Sequence, residues 1–212
     1  MYSMQGIVRK SVSNVTTQFE KLGYVANNLA NMNTKGYKTV TFEQMLNEDG
    51  YLTGAIRTET RQGSIQVTSN PYDVAINGTG YIPVVSPEGE VAYTRDGAFK
   101  QGKDGYLVTT DDWIVGEGIK IPANCYKFEI KPNGEVYSYD AANTKPKKLG
   151  TIPLVRFASQ ENLEQKGMNK LVATADSGDP MLVRNHECFC QNNIENSNTN
   201  VYSSTSDMLR LN

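Results

Sequence analysis

The sequence predicts a mainly β protein: an antiparallel domain of many short strands, preceded by one N-terminal helix with a heptad pattern and an extended connector. Three observations predict it. Val8, Val12, Val15, Phe19, Leu22, Ala26 and Leu29 recur at alternating spacings of four and three, the seam of a helix that lies along a partner helix. Past Tyr37 no helical period is sustained. From Pro71 onward, apolar runs alternate with Pro87-Glu88-Gly89, Lys103-Asp104-Gly105 and Pro132-Asn133-Gly134. Asp-Gly or Asn-Gly between such runs signals a hairpin.

The first element, residues 1–36, reads as a helix from about residue 3 to 32, roughly 45 Å long at 1.5 Å per residue. Its other faces carry Arg9, Lys10, Ser11, Asn14, Gln18, Glu20 and Lys21, and Gly36 supplies the permissive backbone that often follows a helix end. Asn27, Asn28, Asn31 and Asn33 crowd that end, although Asn competes with the helical backbone for hydrogen bonds. Something other than local propensity must hold them. Residues 37–70 read as an extended connector with a short helix or turn at "FEQMLN".

Residues 71–194 supply the β domain: "YDVAING", "GYIPVVS", "EVAYTR", "YLVT", "WIVGEGIKI", "KFEIK", "EVYSY" and "GTIPLVRF", then a helix-like "SQENLEQKG" and a last strand pair or long strand in "MLVRNHECFCQNN". Residues 195–212 are polar until Met208, Leu209 and Leu211, with Ser204 or Ser206 as a helix cap. They read as the lead-in to a second helix that does not follow within this sequence.

At 212 residues, 38% hydrophobic and 21% charged, the chain can bury one substantial core. A net charge of -2 gives no broad basic surface for nucleic acid or anionic lipid. "MYSMQGIVRK" holds no apolar run suited to a leader or a membrane span.

The chemistry-bearing residues point away from catalysis. Cys125, Cys188 and Cys190 are an odd count with one C-x-C pair, not a disulfide framework. His186, Cys188 and Cys190 would share a strand face, but such neighbours stand about 6.5–7 Å apart. Thiolate ligation at about 2.3 Å asks for tighter convergence. "NGTGY" lacks the helix and third glycine of a dinucleotide fingerprint. Asp73, Asp96, Asp104, Asp111 and Asp112 sit beside turn signals, where carboxylates favour the turn itself. No catalytic, cofactor or metal residue is assigned. A competing reading, a secreted β module that binds glycan or peptidoglycan, would use surface tyrosines and Trp113. A wall hydrolase would need a carboxylate pair or metal that the residues do not supply.

"ANNLANMNTKGYK" resembles the N-terminal signature of the bacterial flagellar basal-body rod and hook protein family, carried here by Ala26, Asn27, Asn28, Leu29, Ala30, Asn31, Thr34, Gly36 and Tyr37. "NPYDVAINGTGYIPV", "AYTRDGAFKQGKDGYLVTTDDWIVGEG" and "LGTIPLVRFASQENLEQKGMNKLVATADSGDP" are similar to its β-domain segments. Lys35 stands where many members have Pro or a small residue. The length leaves no room for the large outer domain of hook proteins. The resemblance implies a rod-type member, proximal or distal, and the short stretch from Lys38 to Asn70 favours a proximal-rod-type or compact one.

What the resemblance implies is a non-enzymatic subunit, with no cofactor and no small-molecule substrate, that assembles with its own copies and other rod and hook subunits into a torque-transmitting tube. Its place would be the periplasm-spanning rod, reached through flagellar export without a cleaved signal peptide. The N-terminal helix would line the tube and pair with a C-terminal one. The Asn-rich helix end would then bond neighbouring subunits' backbones and fix register.

Overall fold

The computed structural model describes residues 4–141, 143–167 and 169–200, together with Tyr202 and Ser206. Of the stretch read as the lead-in to a second helix, Ser204, Met208, Leu209 and Leu211 lie outside the described residues.

Helix α1, Met4–Ala30, is 27 residues long, about 40 Å at the usual rise. It ends in a tight polar loop in which Thr34 N–H donates to Asn31 O and Tyr37 N–H to Thr34 O. The segment "FEQMLN", expected as a helix or turn, is instead strand. Strands β1, Val40–Leu46, and β2, Leu52–Thr58, pair antiparallel with Val40 opposite Thr58 and Leu46 opposite Leu52. The connector is therefore a β-hairpin, and it lies along α1. Next come β3, Ile65–Val67, and β4, Val74–Ile76.

The β domain is antiparallel throughout. A seven-stranded sheet runs in the order 164–166, 170–172, 91–94, 82–85, 114–115, 107–108, 100–101, and a three-stranded sheet joins 125–130, 135–140 and 143–151. Their inward residues, with β4, the strand 189–191 that pairs with it and adjoining loop residues, form one core that includes Val74, Ile76, Ile82, Val84, Phe99, Leu107, Val115, Phe128, Val136, Ile152 and Phe189. A smaller cluster of Tyr81, Tyr93, Val155, Phe157, Leu163 and Leu171 packs beside it. "SQENLEQKG" is a single 3-10 turn at Gln160–Asn162 followed by the edge strand Glu164–Lys166, not a helix.

One turn design recurs four times. In "NEDGY", "SPEGE", "GKDGY" and "KPNGE", the first residue's N–H donates to the carbonyl four residues on, and the glycine N–H donates back to the first carbonyl. Gly50, Gly89, Gly105 and Gly134 all take φ between +79° and +89°, the left-handed position that closes a three-residue hairpin loop. The same short local signal thus builds hairpins in the β domain and in the connector.

Candidate functional site: the two faces of the N-terminal helix and their anchor

Two stripes run the length of α1. Lys10, Asn14, Thr17, Tyr24, Val25 and Asn28 face the hairpin. At 100° per residue the seam Val8–Val12–Val15–Phe19–Leu22–Ala26–Leu29 lies roughly 150° around the helix from them.

The hairpin-facing stripe is mostly polar, and its side chains bond to hairpin backbone. Asn14 Oδ1 accepts from Leu52 N–H at 2.8 Å while its Nδ2 donates to Gly50 O. Thr17 Oγ1 donates to Leu52 O. Tyr24 stacks on Phe42 with centroids 5.5 Å apart, and Lys10 Nζ lies over the Tyr51 ring. Phe42 folds back over Gly54, where any Cβ would stand 1.9 Å from its ring.

Asn28 explains the Asn-rich helix end. Buried, it accepts from Val40 N–H at 2.9 Å and donates to Val40 O at 2.7 Å, as a neighbouring strand would. The Tyr37 hydroxyl donates to the same Oδ1. Asn31 donates to Asn27 O and accepts from Thr34 Oγ1, and Asn27 Nδ2 donates to Tyr37 Oη. Expected to bond the backbones of neighbouring subunits, Asn27, Asn28 and Asn31 all have hydrogen-bond partners within their own chain. A backbone group leaving the sheet ladder needs a partner, and an amide supplies both a donor and an acceptor. Asn33 is exposed.

The apolar seam behaves oppositely. Val8 is 56% exposed, Val12 61%, Val15 48% and Phe19 67%. Ala26 is exposed too, while Leu22 and Leu29 are half-buried. Met4 and Ile7 extend the exposed apolar surface at the start of the helix.

The signature loop anchors α1 to the β domain. Gly36, at φ +67°, sits so close to the backbone of Arg95 and Asp96 that a Cβ would come within 2.3 Å of Asp96 N. Its own N–H donates to Glu195 O. Two residues on, buried Lys38 pairs with Glu195 at 2.7 Å, and Arg95 holds the other Glu195 oxygen at 2.6 Å. The Arg95 guanidinium also donates to the carbonyls of Ile76, Gly78 and Gly80. Burial lowers the Lys38 ammonium below its ordinary value, and the Glu195 carboxylate opposes that. Burial likewise raises the Tyr37 phenol.

Asp96 takes Ala98 N–H on one oxygen and Asn169 Nδ2 on the other. Burial pushes its carboxyl up to about 6, against the Ala98 N–H and the charges of Lys35 and Lys170, while Asp111 adds to the rise. It borders an open groove of about 590 Å³ with Lys35, Trp113, Lys166 and Lys170. Trp113 meets the ammonium groups of Lys166 and Lys170 at 5.9 and 5.0 Å from its ring. Those cations have carboxylate partners, Glu90 and Asp111.

His186 and Cys188 lie outside the strand Phe189–Gln191 that holds Cys190, which corrects the shared strand face expected for them. Cys188 Sγ stands 3.6 Å from His186 Nδ1. Among the described residues, no three His, Cys, Asp or Glu side chains gather where they could hold a metal ion.

The sequence alone does not point to Lys38, Arg95 or Glu195. No local pattern marks them, because the contact joins residues 100 and 157 positions apart.

The helix end and the β domain each match a known family. Residues 16–38 match the model described as flagella basal body rod protein, and residues 75–138 match that of the flagellar hook protein FlgE/F/G D1 domain. The flagellar basal-body rod protein FlgG of Caulobacter vibrioides is 33% identical over 196 residues, 81% of this chain and 75% of that protein. The chain belongs to the flagellar basal-body rod protein family. The FlgG of Bacillus subtilis is also 33% identical, over 74% of this chain and 69% of its own. The flagellar hook protein FlgE of Brucella abortus is 35% identical over 127 residues, 32% of its length. The first family match spans the second half of α1, the Asn cluster and the anchoring loop. Rod-family membership implies a basal-body location. No helix among the described residues is long and apolar enough to cross a membrane.

Proposed function

We propose that this chain is a structural subunit of the flagellar rod that works by being stacked, with the α1 seam as its principal subunit contact. The observation that carries this is the division of labour on α1. The chain's own hairpin covers the polar stripe, and the apolar stripe on the far side stays open. Burying a Val or Phe side chain contributes about 1.5–3 kcal/mol, so an apolar seam left largely in water favours association. Contacts between unlike surfaces that do not close into a ring generate a helical tube. In this reading α1 lines the inner layer, the β domain forms the outer one, and neighbours are further copies together with other rod and hook subunits. The relatives named as basal-body rod proteins support it.

The test is sedimentation velocity of the chain beside a Val12→Asp, Val15→Asp, Phe19→Asp variant across a concentration series. The original chain is expected to associate, and the variant to stay monomeric with an unchanged circular dichroism spectrum and melting temperature. Equal association by the variant would overturn the proposal.

A further inference from the structure

Residues 193–199, read from the sequence only as a last strand and a polar tail, run through the junction between the helix–hairpin unit and the β domain. Asn193–Glu195 pairs antiparallel with β3. Asn196 N–H donates to Ser64 O and Asn198 N–H to Tyr37 O. The Asn198 side chain accepts from Thr39 N–H and Oγ1 and donates to the carbonyls of Glu59 and Arg61. Glu195 Oε1 takes Lys38 Nζ and Gly63 N–H, and Oε2 takes Arg95. One short segment therefore touches the signature loop, the end of the hairpin connector and the β domain.

The charge arithmetic at this point is uneven. Lys38 and Arg95 are both buried cations, and each weakens the other's place there. Glu195 is the carboxylate that both of them contact. Removing the common partner of two buried charges leaves them uncompensated in a poorly solvating site, which is strongly unfavourable. Neither core cluster contains a residue of 193–199, and the segment's one buried apolar side chain is Ile194, so little of the β domain's apolar packing comes from it.

We propose that residues 193–199 are a strap whose seating decides whether the helix–hairpin unit is locked to the β domain. With Glu195 between Lys38 and Arg95, the junction closes and α1 points in a fixed direction. With the strap out, the two cations repel and the junction opens while the β domain stays folded. Closure joins residues 100 to 160 positions apart, so it carries a larger ordering cost than the local hairpins it links. Local opening of this kind is expected where a segment is held mainly by polar contacts, here with Ile194 as the single buried apolar side chain.

Amide hydrogen exchange on the full chain tests this with Glu195→Gln and Asn198→Ala. In Glu195→Gln, the N–H groups of Gly36, Thr39 and Gly63, and Val40 N–H where α1 meets the hairpin, should exchange about tenfold faster or more, while Tyr81, Leu107 and Val155 change by less than about twofold. Asn198→Ala keeps the three charges and should give the same footprint with a smaller amplitude. Unchanged exchange at the junction in Glu195→Gln would overturn the proposal, as would equal acceleration in the core. Should Glu195→Gln not fold, Asn198→Ala decides alone: a footprint confined to the junction supports the strap, and one spread evenly through the core sinks it. Association through the seam is not needed for any of these readouts.

Discussion

The two faces of α1 invert the usual order of a surface helix. An ordinary amphipathic helix turns its apolar stripe to its own core and its polar stripe to water. Here Asn14, Thr17 and Asn28 are turned inward, where they bond the open backbone groups of the hairpin. Val8, Val12, Val15 and Phe19 are turned outward. Directional hydrogen bonds fix how the hairpin sits on the helix, while the outward stripe keeps its apolar surface exposed.

The largest effect on the inward stripe is expected at Asn28. Asn28→Ala removes three hydrogen bonds and leaves Val40 N–H and O without their partner. A buried unsatisfied group costs about 1–3 kcal/mol, so a loss of roughly 3 kcal/mol is expected, read from the shift in the urea midpoint. Asp96 gives a pH test of the anchor of similar size. Its carboxyl is raised from 3.8 to about 6 by burial, so the folded chain holds this proton more tightly than the unfolded one. Stability from this group is therefore fully present below about pH 4 and is lost as pH rises through 6. The rise corresponds to about 3 kcal/mol between those limits. Denaturation series between pH 4 and 7 should show that slope, and Asp96→Asn should flatten it.

Asn14→Ala probes the same stripe nearer the start of α1. It removes two bonds at a half-buried site, and about 1 kcal/mol should go, seen as faster exchange at Leu52 N–H. At the other stripe, Phe19→Ser should change monomer stability by less than about 0.5 kcal/mol, as expected for an exposed side chain, while weakening association in the same sedimentation series.

The fold is legible in the sequence where its signals are local. The seam shows as a four-three spacing, two of the four glycine turns carry the Asp-Gly or Asn-Gly hairpin signal at Gly105 and Gly134, and a third, Pro87-Glu88-Gly89, shows as a break between strands. The fourth, "NEDGY", carries the same Asp-Gly signal at Asp49 and Gly50, yet β1 and β2 lack the clean apolar alternation that would flank it. Their inner face meets a helix stripe of Asn and Thr rather than a sheet core, so Gln44 and Gly54 stand where an alternation would ask for apolar residues. The anchor is illegible for a different reason. Lys38, Arg95 and Glu195 each read as an ordinary polar residue, and only the folded chain brings them together. The asparagines are visible as an anomaly, but their partner, Val40, is hidden inside a connector whose strands carry no clear pattern.

Carbene footprinting of α1 in the free chain and in assembled rods tests most directly whether the outward stripe is a subunit contact. Phe19, Val15 and Val12 should lose about fivefold or more of their labelling on assembly, since contact with a neighbour removes apolar surface from water, while exposed Gln18 and Glu20 change less. Labelling of Phe19 as strong in the rod as in the free chain would contradict the account.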